Sequence, residues 1–114
     1  ETLTLSTSIN TGSESIRGEI HNLPGLHFDP HFKQYSGYID VNPTRHLFYW
    51  FVESQGNPSQ DPLILWTNGG PGCSGLIGFG EEHGPFYVDG KGKLTANPFS
   101  WNLLANVIYL EQPA

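Results

Sequence analysis

The sequence predicts a sheet-built domain that opens with an antiparallel hairpin and continues into short buried strands. Three observations predict it. An alternating stretch at Tyr35-Ser36-Gly37-Tyr38-Ile39-Asp40-Val41 is followed, across a turn, by the apolar His46-Leu47-Phe48-Tyr49-Trp50-Phe51-Val52-Glu53. Two further apolar runs, Leu63-Ile64-Leu65-Trp66 and Val107-Ile108-Tyr109-Leu110, are too short for helices. The first of these empties into a cluster of glycines and a proline. The length of 114 residues gives room for one small domain. Hydrophobic residues make up 37% and aromatic ones 13%, enough for sheet-type burial but only for a small core.

Taken in order, residues 1–15 are rich in Thr and Ser with no repeating apolar face, and an extended or frayed terminus is expected there. Residues 21–33 carry Leu23-Pro24-Gly25-Leu26 and Asp29-Pro30, closely spaced turn formers that predict a loop. His27 and His31 have the spacing of two helical metal ligands, but the prolines and the glycine argue against a helix, and with His21 they are read as surface histidines. No metal and no cofactor is expected. Asn42-Pro43-Thr44 supplies the hairpin turn. The second hairpin strand is apolar at nearly every position, which predicts coverage on both faces. After the polar, turn-rich residues 55–61, the run from Pro62 to Trp66 predicts a buried central strand, and Val107 to Leu110, bounded by Asn106 and Pro113, another.

Charge narrows the function. Five Lys and Arg against eleven Asp and Glu leave a formal net charge of -6, which argues against a nucleic-acid partner because phosphate binding needs clustered cations. No apolar run approaches the roughly 18 residues of a membrane span. Cys73 is the one cysteine, so it is a free thiol or its partner lies elsewhere.

The informative segment is Asn68-Gly69-Gly70-Pro71-Gly72 after the strand ending at Trp66. Glycines allow positive φ and close backbone approach while proline stiffens the turn, so the amides can point at one spot. Beyond the carboxyl end of a sheet strand, such amides are placed to stabilise a developing oxyanion. For the pentapeptide alone, a tight turn without catalytic role is the favoured reading. A phosphate loop fits poorly, since no Lys-Ser or Lys-Thr follows.

The wider context Trp66-Thr67-Asn68-Gly69-Gly70-Pro71-Gly72-Cys73-Ser74-Gly75-Leu76, then Glu82-His83-Gly84-Pro85, then Asn97-Pro98-Phe99-Ser100-Trp101-Asn102, closely resembles the serine carboxypeptidase family. The resemblance covers roughly the last 80 residues. It implies an α/β-hydrolase fold, with residues 1–34 an N-terminal extension and loop and residues 35–114 the N-terminal part of the hydrolase domain. It also implies roles. Trp66, Asn68 and Gly69 would bind the free C-terminal carboxylate of a peptide substrate, and the Gly70 amide would be an oxyanion-hole donor. Glu82, which beside Glu81 reads on spacing alone as a solvated acidic pair, would hydrogen-bond the same carboxylate together with a second Glu from a later segment. Such a cluster needs a shared proton, because stacked carboxylates repel when all are ionised. Trp101 and Phe99 are expected to pack beneath the site. Thr67, Gly75 and His83 depart from the usual pattern, standing where an apolar residue, a second Ser and Leu are commoner; His83 beside Glu82 puts any inherited pH preference in doubt. Cys73 matches a family cysteine that pairs with another far along the chain, a partner outside these 114 residues.

Ser74 is not read as the nucleophile. A catalytic serine of this fold sits in a G-x-S-x-G-like elbow, and Gly72-Cys73-Ser74-Gly75-Leu76 lacks the last glycine, so Ser74 is expected to cap a helix. The family's nucleophile lies in a later Glu-Ser-Tyr-type motif, followed by its Asp and His. No such motif precedes Ala114, so the chain is expected to be an N-terminal fragment, inactive alone, of a serine-type carboxypeptidase whose other partner is the remainder of the polypeptide. A lysosomal, vacuolar or secreted location fits the family and an oxidisable Cys73. Two rival readings share these residues: a catalytically dead peptide-binding or acyltransferase relative, and an independent extracellular binding module.

Overall fold

The structure, a computed structural model, describes residues 18–113. The frayed terminus expected at residues 1–15 lies outside them. Six strands form in chain order: β1 (Gln34–Asn42), β2 (Arg45–Val52), β3 (Leu63–Trp66), β4 (Phe86–Val88), β5 (Leu94–Ala96) and β6 (Asn106–Leu110). A wide helical turn, Gly78–Glu82, and a 3-10 turn, Trp101–Leu103, lie between them.

The predicted hairpin is present. β1 and β2 pair antiparallel with Gln34 opposite Val52 and Tyr38 opposite Phe48, and the register shifts between Asp40 and Asn42. The turn is closed by Asn42, whose Oδ1 accepts from the Thr44 amide at 2.9 Å and the Thr44 hydroxyl at 3.0 Å. Residues 21–33 contain neither helix nor strand, as their prolines and glycine predict, and the Gly25 carbonyl ties this loop to Leu94 of β5.

Strand order departs from the sequence expectation. The four-stranded sheet runs β1-β2-β6-β3, with β6 antiparallel to β2 and parallel to β3. β3, expected as a buried central strand, therefore lies at the edge among the described residues, and Leu63 and Leu65 are 63% and 61% exposed. Its alternate residues Ile64 and Trp66 pack inward. A continuous apolar run predicts that both faces can be covered, and here one face is. β2 is likewise half-buried along most of its length and becomes fully buried only at Val52. β6 takes the central place, and its Val107 and Tyr109 join Val52 and Ala105 in the core, with Phe32, Trp50, Ile64, Trp66, Leu76 and Phe79 packed around them. The small antiparallel pair β4-β5, which carries no strong run in the sequence, pairs Phe86 with Ala96 and Val88 with Leu94.

Two buried asparagines hold the loops to this sheet. Asn106 accepts from the Ser54 amide at 3.0 Å and donates to the carbonyls of Pro58 and Asp61 at 2.9 and 3.1 Å. Asn102 donates to the Glu53 carbonyl at 3.0 Å and accepts from Gln55 Nε2 at 2.8 Å and the Ser100 hydroxyl at 2.6 Å. Each satisfies groups that would otherwise be buried without partners. Replacing Asn106 with Ala leaves the Ser54 amide and the Pro58 and Asp61 carbonyls without their partner, so Asn106→Ala is expected to lower stability by about 1–3 kcal/mol. Urea unfolding at unchanged m-value reads this as a lower midpoint, and an unmoved midpoint would contradict it.

Candidate functional site

The site is built where β3 ends. Trp66 is the last residue of the strand and points inward, and the chain then leaves the sheet through Asn68 and the glycine-rich turn. The Trp66 indole donates through Nε1 to Asn68 Oδ1 at 2.7 Å. This bond fixes the Asn68 side chain relative to the strand end. Gly69 and Gly70 follow, both exposed; Gly70 has φ +130° and precedes a cis Pro71. Only glycine adopts that φ readily, and a Cβ at Gly70 would lie 2.8 Å from Cys73 Sγ. Cys73 is an exposed free thiol, its amide bonded to the Gly69 carbonyl at 3.2 Å.

Ser74 opens the next helical turn. Its hydroxyl accepts from the Leu76 amide at 3.1 Å, as a capping residue does, and also donates to the Glu111 carboxylate beyond β6. The turn then passes so close to Trp66 that a Cβ on Gly78 would sit 2.2 Å from Trp66 Nε1. Glycine at position 78 lets the backbone pack against the indole. Glu82 ends the turn, exposed, with its carboxylate 3.9 Å from His83 Nε2.

His83 is the residue whose place the sequence did not foretell. It is buried, stacked on Trp101 with ring centroids 4.0 Å apart and planes 16° apart, and on Tyr109 of β6 at 5.6 Å. The Trp66 indole meets it edge-on at 4.3 Å and Trp101 edge-on at 5.4 Å. Its Nδ1 lies 3.2 Å from the Tyr109 hydroxyl, which also approaches the His83 carbonyl at 3.4 Å. Its Nε2 is the one buried side-chain nitrogen or oxygen among the described residues with no hydrogen-bond partner. Burial pushes the imidazole below its ordinary range, opposed in part by the Glu82 carboxylate. Burial likewise raises the Tyr109 phenol well above its ordinary value.

Trp66, Asn68 and Glu82, separated in sequence, are thus joined through one chain of contacts: Asn68 to the Trp66 N–H, the Trp66 ring to His83, and His83 to Glu82. Gly69 and Gly70 border it in the turn. Trp101 packs against the site as expected. Phe99 does not: its amide donates to Asn97 Oδ1 in a tight turn, and the residue is 80% exposed. The sequence signals for His83 are its departure from the commoner Leu and its place beside Glu82, and nothing local marks Tyr109 as its partner.

A sequence profile of the family described as serine carboxypeptidase matches residues 24–114. The chain is 50% identical over 113 residues to the lysosomal protective protein of Mus musculus, covering 98% of this chain and 24% of that protein. It is 53% identical over 104 residues to a serine carboxypeptidase of Caenorhabditis elegans, with 89% of this chain and 18% of that protein covered. It is 52% identical over 101 residues to a carboxypeptidase Y homolog A of Trichophyton rubrum, with 86% and 19% covered. The chain therefore spans about a quarter or less of the length of these relatives. The crystal structure of a prohormone-processing carboxypeptidase from Saccharomyces cerevisiae superimposes with a TM-score of 0.58 at 35% identity, over 74% of this chain and 20% of that one.

The burial of His83 has a consequence for stability. Its folded pKa is lowered from about 6.5, so below that value the unfolded chain takes up a proton that the folded chain resists, and stability falls as pH drops toward the folded pKa. In His83→Leu this slope is expected to flatten between about pH 6.5 and the folded pKa. Urea midpoints measured across that window check it, and an unchanged slope would contradict it. Asp61 and Asp89, whose hydrogen bonds hold them below the ordinary carboxylate range, act only at lower pH.

Proposed function

Because this chain belongs to the serine carboxypeptidase family, we propose that residues 35–114 are the N-terminal part of an α/β-hydrolase domain in a protein that releases C-terminal residues from peptides. The observation that carries this reading is the 2.7 Å bond from Trp66 to Asn68 at the mouth of the glycine-rich turn, with Glu82 tied to the same cluster through His83. It supports a site that recognises a carboxylate by side-chain donors at Asn68, the backbone at Gly69 and Glu82, in a cluster that takes up a proton to relieve the repulsion between two facing carboxylates. A peptide's terminal carboxylate is the matching group, since an internal peptide bond offers no such charge.

The chemistry proposed is acyl transfer. A serine, supplied in this family by a later Glu-Ser-Tyr-type motif, attacks the last peptide carbonyl and gives its proton to a histidine base. The carbonyl oxygen becomes an oxyanion, stabilised in part by the Gly70 N–H. Collapse breaks the C–N bond, the departing amino group takes the proton, and water then hydrolyses the acyl-enzyme. Binding of the leaving residue by its carboxylate sets the register, so that only the last bond meets the nucleophile. Cys73 is proposed to pair with a later cysteine, and a lysosomal, vacuolar or secreted location follows the same family logic, the mouse relative being named as lysosomal.

In the full-length protein the two roles separate kinetically. Asn68→Ala is expected to raise KM for peptides with a free C-terminus by about ten- to a hundredfold, the loss of a hydrogen bond to a charged group. Gly70→Ala, which displaces the turn against Cys73, is expected instead to lower kcat by about a hundredfold or more. Steady-state kinetics on one peptide series reads both, and a Gly70→Ala enzyme with undiminished kcat would contradict the oxyanion assignment.

A further inference from the structure

Among the buried side-chain nitrogens and oxygens of the described residues, His83 Nε2 alone has no hydrogen-bond partner. Assigning the Tyr109 hydroxyl as donor to the His83 carbonyl places the ring proton on Nδ1, where it meets the Tyr109 oxygen at 3.2 Å, and this tautomer makes Nε2 a lone-pair acceptor. Beside it at 3.9 Å lies another acceptor, Glu82 Oε2. In this tautomer two acceptors face each other at the edge of the cluster with no proton between them. The titratable groups facing the ring are Glu82 from its own turn and the Tyr109 hydroxyl from β6, while Trp66 from β3 and Trp101 from the 3-10 turn contribute aromatic surface. Those aromatic faces favour a cation: an imidazolium stacked on Trp101 at 4.0 Å gains a cation–π contribution that a neutral ring does not.

An additional carboxylate arriving beside Glu82 makes the missing proton favourable, since a second negative charge favours the protonated form of any nearby group. We propose that His83 is a positioning residue of the carboxylate site that takes up a proton when a peptide's terminal carboxylate binds, its Nε2 then donating to Glu82 and holding that side chain and the Trp66 indole in place. This rests on the carboxylate-recognition reading above and adds to it the group that carries the proton. Protonation moves one proton from solvent to Nε2 and forms or breaks no other bond. Affinity for a terminal carboxylate then rises as pH falls, up to about tenfold per pH unit between the pKa of His83 in the complex and its lower value in the free protein.

The test uses the full-length protein with acetyl-phenylalanine and acetyl-phenylalanine amide as probes, and titration calorimetry near pH 6 in buffers of different ionisation enthalpy. The native protein is expected to take up close to one proton on binding the acid. His83→Leu is expected to take up less than half as much while still preferring the acid to the amide. Equal proton uptake in native protein and variant overturns the assignment to His83 and leaves carboxylate recognition standing. A native protein that does not distinguish acid from amide overturns both. A measurement on the native protein stands whether or not the variant folds. The imidazole resonances of His83 should titrate at least one pH unit higher when saturated with the acid than with the amide, and an unmoved titration overturns the proposal.

Discussion

The stack of His83 between Trp101 and Tyr109 is the contact on which the rest of this molecule's organisation depends. Tyr109 is fully buried at the centre of the sheet, in the strand that separates β2 from β3. By packing an imidazole on that ring, the chain after the helical turn is pinned to the sheet's centre. By meeting Trp66 edge-on, the same imidazole reaches the end of the parallel strand. One side chain thereby joins β3, β6, the helical turn and the 3-10 turn. Aromatic pairs contribute about 0.5–1.5 kcal/mol each beyond their burial, so the cluster is significant for a sheet with so few fully buried side chains.

The cluster also decides the electrostatics. Glu82 and the exposed glycine-rich turn lie at the surface, where a charged ligand would be screened and weakly held. Trp66 and His83 bring a dry, aromatic wall up to that surface. A hydrogen bond or ion pair formed against such a wall is stronger than the same pair in water. The bond from the Trp66 N–H to Asn68 uses the wall's one polar edge on that side. The arrangement therefore couples burial, which orients the side chains, to exposure, which lets a ligand reach them.

Much of this was legible one segment at a time. The Tyr35 to Glu53 hairpin could be read because alternation and an Asn-Pro turn act over a few residues, and both are present in the structure. The loop over residues 21–33 was legible from its prolines, and Ser74 at a helical start from its neighbours. The β4-β5 pair was not, because three-residue strands leave no periodicity; what closes them is the Asp89 side chain accepting from the Lys91 and Lys93 amides at 2.8 Å. Phe99 is exposed because an Asx turn at Asn97, rather than hydrophobicity, sets where the residue goes.

What the sequence by itself determined was the set of local elements and the residue types at the turn after β3, since periodicity, turn chemistry and glycine's freedom at Gly70 all act within a few residues. What only the tertiary structure decided was the strand order, with β6 entering between β2 and β3 after 39 intervening residues, and the meeting of His83 with Trp66, Trp101 and Tyr109. Both are contacts between segments far apart in the chain. A short apolar run shows that it will be buried but not beside what, and a histidine next to a glutamate shows that a proton matters but not which ring will face it.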